Sequence, residues 1–190
     1  MVTLEIEMQD TALRKLDVVR DFVNTLDLEE NKEGIATPAQ LGAWLGGRGL
    51  ISEGSITTEE YRLAVETRET IRRLLLANNG GEAAAADLAE LDRLADRAAL
   101  APRFHAGGVR LEPGTGGVVG ALGLLLATVA EAMAEGTWTR LKACSEHSCM
   151  WAFYDRSKNR SGHWCSMRVC GNRAKARQFR ERRRAESSAG

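Results

Sequence analysis

The stretches CSEHSC at residues 144–149 and CSMRVC at residues 165–170 decide how the end of this chain folds. Together they contain all 4 cysteines of the 190-residue sequence, arranged as two Cys-x4-Cys pairs. Four thiolates can occupy the corners of a tetrahedron around Zn²⁺, and two short turns of chain can approach the ion from opposite sides. The spacing therefore predicts a structural zinc site whose ligands are Cys144, Cys149, Cys165 and Cys170.

Two disulfides are the alternative interpretation of the same four cysteines. The opening residues 1–5 (MVTLE) lack the basic and apolar segments of an export signal, which predicts a cytoplasmic protein in a reducing compartment. Zinc is therefore preferred over disulfides. His147 and His163 lie close enough in sequence to replace one cysteine each, but that site would leave a thiol over, so the all-cysteine site is simpler.

Charge is distributed unevenly along the chain, although Lys and Arg equal Asp and Glu at 26 each. Residues 140–190 hold 13 Lys and Arg against 4 Asp and Glu, a net charge of +9. Residues 1–139 hold the other 13 basic residues and 22 acidic residues, a net charge of −9. Such a division is expected where one part of a protein meets a polyanion. The basic part is therefore predicted to bind nucleic acid.

Hydrophobic periodicity and capping residues predict a mainly α fold with one small β-hairpin. The expected helices cover residues 11–26, 38–45, 58–77, 83–100 and 118–135, and the hairpin lies within 103–113 around Gly107-Gly108. The weakly polar run 118–130 is too short to cross a bilayer, which predicts a buried core helix and no membrane partner.

Three segments follow from composition and charge. Residues 1–138 are predicted to form an acidic helical domain, here called the body. Residues 139–186 are predicted to form a small four-cysteine zinc finger that ends in a basic helix, here called the cysteine module. Because this module has little core of its own, Trp151, Phe153 and Trp164 are expected to pack around the metal. Residues 187–190 are predicted to be a disordered tail.

The basic helix is the expected nucleic-acid contact. Arg173, Arg177, Arg180 and Arg184 fall on one helical face, while Phe179 is expected to turn back toward the zinc site. Arginine can bind phosphate oxygens or guanine edges, and an amide can pair with adenine. The predicted contacts are Asn172, Arg173, Lys175, Arg177, Arg180 and Arg184.

The cysteine module closely resembles the CGNR zinc finger. The matching residues are Cys144, Cys149, Trp151, Phe153, Tyr154, Asp155, Ser157, Trp164, Cys165, Ser166, Met167, Cys170, Gly171, Asn172 and Arg173. The segments 21–25 (DFVNT) and 41–45 (LGAWL) of the body resemble the ABATE domain that accompanies this finger in bacteria. The resemblance implies a stress-related transcription regulator whose zinc-supported helix binds DNA. One departure is visible, because Gly162-His163 stands where the family usually has basic residues.

The body is expected to sense a small-molecule effector or to mediate association, with a homodimer as one form. Asn24 is the candidate ligand-binding residue, because it is polar within the apolar stretch 22–26. The alternative role is structural, since buried amides usually bond to backbone groups.

No catalytic constellation is present in the sequence: it lacks a nucleophile elbow, a His-Glu-x-x-His motif and an open three-ligand metal site. We therefore expect a protein that is not an enzyme. Two alternatives to DNA binding use the same residues. One is a zinc-thiolate redox sensor, in which oxidation of the cysteines releases the metal. The other is RNA binding by the basic helix.

Overall fold

The computed structural model describes residues 15–52 and 54–188. The described residues of the body form five helices and two short antiparallel ladders. The helices are α1 (Asp17–Val23), α2 (Pro38–Gly46), α3 (Thr58–Ala77), α4 (Ala85–Arg97) and α5 (Gly117–Ala134). The ladders pair β1 (Leu26–Asp27) with β2 (Lys32–Glu33) and β3 (Ala101–His105) with β4 (Gly108–Glu112).

The cysteine module adds a third ladder and a last helix. After a single 3₁₀ turn at Trp138–Arg140, β5 (Leu141–Ala143) pairs antiparallel with β6 (Ala152–Tyr154). A π-helical turn at Met167–Gly171 then runs directly into α6 (Asn172–Ser188). Helix α6 therefore includes two residues of the segment expected to be a tail, while residues 189–190 lie outside the described residues.

The mainly helical class is confirmed, because 53% of the structure is helical. The sequence predicted one hairpin, whereas the described residues form three two-stranded sheets. The hairpin β3–β4 was predicted from its glycine turn. The other two ladders have strands of only two and three residues, too short to show an alternating pattern.

Capping residues explain where the best-predicted helices begin. Thr57 caps α3 in a capping box: its hydroxyl accepts from the Glu60 backbone N–H at 3.2 Å, and the Glu60 carboxylate accepts from the Thr57 N–H at 2.9 Å. Thr37 caps α2 with its hydroxyl, which accepts from the Gln40 backbone N–H, and Pro38 lies in the first turn. These local signals are readable in the sequence, and both starts agree with the prediction.

Two helices are shorter than predicted. Helix α1 ends at Val23, and Leu26 belongs to β1; the predicted residues 11–14 lie outside the described part of the chain. Helix α4 ends at Arg97 because Ala99 adopts a φ of 49°. The Leu100 N–H then bonds to the Ala95 carbonyl at 3.0 Å, which closes the helix before Pro102.

Helix α5 is the hydrophobic centre of the fold. It packs against α1, α3 and α4 and against strand β4, and ten of its residues are buried. Within the described ranges it is the one helix whose length and composition would allow it to cross a membrane, and 56% of it is buried inside the fold. Its position agrees with the predicted core helix.

The hydrophobic core continues from the body into the cysteine module. Leu141, Ala143 and Ala152 are almost completely buried in the same cluster as the residues of α3 and α5. Strand β5 lies against α3. The boundary between residues 138 and 139 stays a prediction, and side chains from both sides of it share one core.

Candidate metal centre and nucleic-acid interface

The four cysteines converge on one point. The sulfur atoms of Cys144, Cys149, Cys165 and Cys170 all lie within 4.8 Å of one another. The Cys149 and Cys165 sulfurs are 3.6 Å apart, and the Cys165 and Cys170 sulfurs are 3.8 Å apart. A tetrahedron with zinc–sulfur bonds of about 2.3 Å has edges of about 3.8 Å, so this spacing fits Zn²⁺. It is far longer than a disulfide bond of about 2.05 Å.

Short backbone contacts place the cysteine pairs around this point. In the first pair, the Cys144 N–H bonds to the Trp151 carbonyl, and the Cys149 N–H bonds to the Glu146 carbonyl at 2.8 Å. The Ser145 N–H bonds to the His163 carbonyl at 2.9 Å and so joins the first turn to the second. Trp151, Phe153 and Trp164 pack against the cysteines, as predicted. His147 and His163 are not part of this group of ligand atoms.

The four thiols cannot all ionise so close together without a cation. A hydrogen bond with Cys149 lowers the pKa of Cys144 to about 5, and the same contact raises the pKa of Cys149. Burial and the neighbouring Cys144 thiolate raise the pKa of Cys165 to about 12. A divalent cation at the centre would stabilise four thiolates together, which is the role of zinc in a closed structural site.

Comparison with protein-family models covers nearly all of the described chain. Residues 16–137 match the ABATE family, described as "Putative stress-induced transcription regulator", and residues 140–183 match the CGNR zinc finger. The chain belongs to the ABATE family and carries a CGNR zinc finger. Both resemblances noted in the sequence are thereby confirmed. No curated protein sequence matches the chain. Below, residues 16–137 are called the ABATE domain and residues 140–183 the CGNR finger.

A buried ion pair inside the CGNR finger joins strand β5 to the residue that follows strand β6. Lys142 and Asp155 are 2% and 3% exposed, and the Lys142 ammonium lies 2.8 Å from the Asp155 carboxylate. The same ammonium donates to the carbonyls of Arg160 and Gly162 at 2.6 and 3.0 Å. The Asp155 carboxylate accepts from the backbone N–H of Ser157 and of Gly162. The pair therefore fixes the loop 155–162 that leads to the second cysteine pair.

The electrostatics of Asp155 reflect these contacts. Burial alone would raise the pKa of Asp155, but the hydrogen bonds from Lys142, Ser157 and Gly162 together outweigh it and lower the pKa well below its usual range. A side chain at Gly162 would collide with this carboxylate, because an added Cβ would lie 2.8 Å from Asp155 Oδ1. A side chain at residue 162 would therefore require the Asp155 carboxylate to move.

Side-chain amides and one buried arginine join the ABATE domain to the CGNR finger. The Arg72 guanidinium donates to the Val23 carbonyl at 2.7 Å and to the Met150 carbonyl at 3.2 Å. Asn78 donates to the carbonyls of Trp138 and Leu141, and Asn79 donates to the Ala143 carbonyl at 2.6 Å. We call this set the clasp; its members are Asn24, Arg72, Asn78 and Asn79. No pattern in the sequence pointed to Arg72, and Asn78 and Asn79 directly follow the predicted helix 58–77.

Asn24 makes the structural contacts of the alternative interpretation. Its amide nitrogen donates to the Ala152 carbonyl at 2.9 Å, and its amide oxygen accepts from the Ala152 N–H at 2.7 Å. Both ends of the amide are thus used by strand β6 of the CGNR finger. The structure gives the expected ligand contact at Asn24 no support.

Replacing Asn24 by alanine should destabilise the protein by about 1–3 kcal/mol, because the Ala152 backbone would lose two partly buried hydrogen bonds. Denaturant unfolding with a global fit of both variants measures the difference. Asn159→Ala is the matched control, since Asn159 is exposed in the loop of the finger and should stay within about 0.5 kcal/mol of wild type. Equal stabilities for the two variants would contradict a structural role for Asn24.

The predicted nucleic-acid residues all lie on α6 or at its start, but they do not form one free face. Arg173 lies 2.6 Å from the Glu29 carboxylate of the β1–β2 turn. Arg177 lies 3.1 Å from Glu146, whose side chain is only 5% exposed. These two arginines are therefore engaged by carboxylates of the protein itself.

The other predicted contacts are more open. The Asn172 amide donates to the Arg168 carbonyl at 3.0 Å, one turn earlier. Lys175 and Arg180 are exposed and make no ion pair with any described residue. Arg184 is also exposed, and its side chain is not without an interaction partner. The expectation for Phe179 was wrong: the ring is 61% exposed, because Ala174 is the α6 residue buried against the finger.

Proposed function

We propose that this ABATE-family protein is a DNA-binding transcription regulator in which zinc holds α6 in position to contact DNA. The observation that carries the proposal is the continuity of the metal site with the helix. Cys170 lies in the π-helical turn Met167–Gly171, and α6 begins at the next residue after that turn. Binding of zinc by Cys170 would therefore set the direction of the first turn of α6.

The charge of α6 supports a polyanion as its partner. Its exposed basic side chains include Lys175, Arg180, Arg182 and Arg183, and none of the four makes an ion pair with a carboxylate of the described residues. A run of charge on a helix is often only a solvated surface. Here it extends directly from a four-thiolate site, a combination typical of nucleic-acid-binding modules.

Helix geometry favours duplex DNA over RNA. Helix α6 has 17 residues and lies at the end of the structure. A helix of this length spans about 25 Å and fits the major groove of B-DNA, whereas the major groove of an RNA duplex is too narrow and deep for side chains to read. We therefore assign DNA as the partner and make RNA an outcome of the test.

The ABATE domain is the regulatory part of this proposal. It holds the CGNR finger through the clasp and through the shared core around Leu141, Ala143 and Ala152. A small-molecule effector bound to the ABATE domain, or association of two such domains, would reach α6 through these contacts. A cytoplasmic location is part of this proposal, because cysteines stay reduced there.

The zinc-loaded protein should retain a subset of a random duplex pool, and sequencing of the retained DNA should show an enriched motif. If about five phosphates are neutralised, the binding constant should fall with salt at a log–log slope of roughly −4.5. Removal of zinc with a chelator should abolish the enrichment. A structured RNA competitor at the same salt concentration tests the alternative partner.

Failure of the zinc-loaded protein to retain any duplex at low salt would overturn the proposal. Retention without enrichment, at the same salt slope before and after zinc removal, would reduce α6 to a general polyanion contact. Displacement of the duplex by equimolar structured RNA would replace DNA with RNA as the partner.

A further inference from the structure

Helix α6 has two sides of different character. Arg173, Ala174 and Arg177 mark one side, which faces the rest of the protein: Ala174 is 8% exposed, and both arginines are held by carboxylates. At 100° per residue, a second set of residues falls on the opposite side of the helix. We call this set the outer stripe; its members are Asn172, Lys175, Phe179, Arg182 and Arg183. All five are exposed.

The inner side is poorly suited to DNA. Arg177 contacts both carboxylate oxygens of Glu146 at 3.2 and 3.1 Å, and the Glu146 side chain is almost fully buried. If Arg177 turned to a phosphate, a buried carboxylate would lose its cation, which is strongly unfavourable. Glu29 and Glu146 would also repel a phosphate that approached this side.

The outer stripe has an exposed aromatic ring at its centre. Phe179 is 61% exposed, and the Arg183 guanidinium lies 5.9 Å from the centre of its ring. Lys175 lies one turn before the ring and Arg182 nearly one turn after it. An apolar ring surrounded by cations is a combination that suits a DNA groove: the cations bind phosphates or guanine edges, and the ring packs against a thymine methyl group. Glu186, two turns beyond Phe179 on the same side, marks where this surface ends.

We infer that the outer stripe enters the DNA major groove and that Phe179 contacts the methyl group of a thymine, while Arg173 and Arg177 face carboxylates of the protein itself. This inference rests on the proposed function and identifies the side of α6 that carries it. It places four of the six contacts predicted from the sequence on opposite sides of the helix. Asn172 and Lys175 belong to the outer stripe, whereas Arg173 and Arg177 lie on the side that faces the protein.

The test compares variants that each remove one positive charge from opposite sides of α6. The probe is the best duplex recovered from the random pool, or a duplex of mixed sequence if no motif is enriched. Lys175→Ala and Arg183→Ala should each weaken binding about tenfold and reduce the magnitude of the salt slope by about one. Arg173→Ala, which removes an exposed pair with Glu29, should stay within about twofold of wild type. Zinc content and circular dichroism confirm that each variant is folded.

The second arm of the test addresses Phe179. Uracil replaces each thymine of the probe in turn, which removes only the methyl group. Wild type should lose about fivefold or more in affinity at one such position, and Phe179→Ala should lose this discrimination while keeping the salt slope. The ring is exposed, so this variant should keep its zinc and its helix content.

Three results would overturn the inference while wild type still binds duplex DNA. The first is a loss of duplex affinity in Arg173→Ala as large as that in Lys175→Ala. The second is unchanged discrimination between thymine and uracil in Phe179→Ala. The third is that Phe179→Ala weakens binding to single-stranded DNA alone. The last result would make the ring a stacking platform for unpaired bases. Failure of the proposed function is a distinct result, because wild type itself would then retain no duplex.

Discussion

Replacing Cys170 by serine should release zinc and unfold the CGNR finger, so that metal content falls from one ion per chain to near zero. A serine hydroxyl does not replace a thiolate at a closed zinc site. Structural zinc supplies about 10–16 kcal/mol to the folding of small fingers, which have little core of their own. The loss should also reach the ABATE domain, because Leu141, Ala143 and Ala152 of the finger are buried in the shared core. We expect the midpoint of thermal unfolding to fall by at least about 10 °C.

Zinc is quantified after gel filtration, and unfolding is followed by circular dichroism. Ser166→Ala is the control, since Ser166 directly precedes the turn that carries Cys170 and makes no capping side-chain bond. Retention of one zinc ion by Cys170→Ser would show that His147 or His163 completes the site. Loss of zinc with an unchanged unfolding midpoint would show that the ABATE domain folds independently of the finger.

Replacing Lys142 by methionine should destabilise the protein by about 3–5 kcal/mol, because the Asp155 carboxylate would remain buried without a cation. The pair is almost inaccessible to solvent, with exposures of 2% and 3%. Methionine keeps much of the volume of the lysine side chain, so the loss reports the missing charge and hydrogen bonds more than a cavity. Chemical denaturation of the zinc-loaded variants measures it. Lys158→Met is the matched control, since Lys158 is exposed in the loop that the pair supports.

Acid should reduce the difference between wild type and Lys142→Met. The pKa of Asp155 is lowered in the folded protein, so its contribution is fully present above the unfolded pKa of about 3.9 and is lost as the pH falls below that value. Once Asp155 is protonated, it no longer needs Lys142. Zinc content is measured at each pH, and only zinc-loaded samples are compared, because zinc release would itself unfold the finger that contains the pair. A difference that stays constant as the pH is lowered from 7 in zinc-loaded samples would show that Asp155 is not the reason for the loss.

The sequence contained the information for features that depend on neighbours along the chain. The zinc ligands follow from the two Cys-x4-Cys turns, because a tetrahedral site needs four soft ligands at short spacing. The starts of α2 and α3 follow from Thr37 and Thr57, which cap the next turn of their own helices. The end of α4 was missed because Ala99 adopts a positive φ that alanine rarely takes.

Contacts between distant segments were not predictable in this way. Asn24 bonds to Ala152 across 128 positions of sequence, and nothing near either residue indicates its partner. The arginine pattern of α6 showed which residues share a face, but not which carboxylates that face would meet. Arg173 and Arg177 are engaged by Glu29 and Glu146, and these partners are set by the tertiary fold. The sequence therefore predicted the basic helix correctly, but it did not show that Arg173 and Arg177 have carboxylate partners within the protein.

Under the proposed function, the shared core limits how the protein can search DNA. Zinc fingers joined by flexible linkers can each rotate to follow a groove. This finger is instead fixed to the much larger ABATE domain, through the buried side chains of Leu141, Ala143 and Ala152 and through the clasp. Helix α6 therefore moves only when the whole molecule moves. Two such molecules joined through their ABATE domains would hold their two α6 helices at one fixed separation. They would accept operators of a single half-site spacing and reject those with one added base pair.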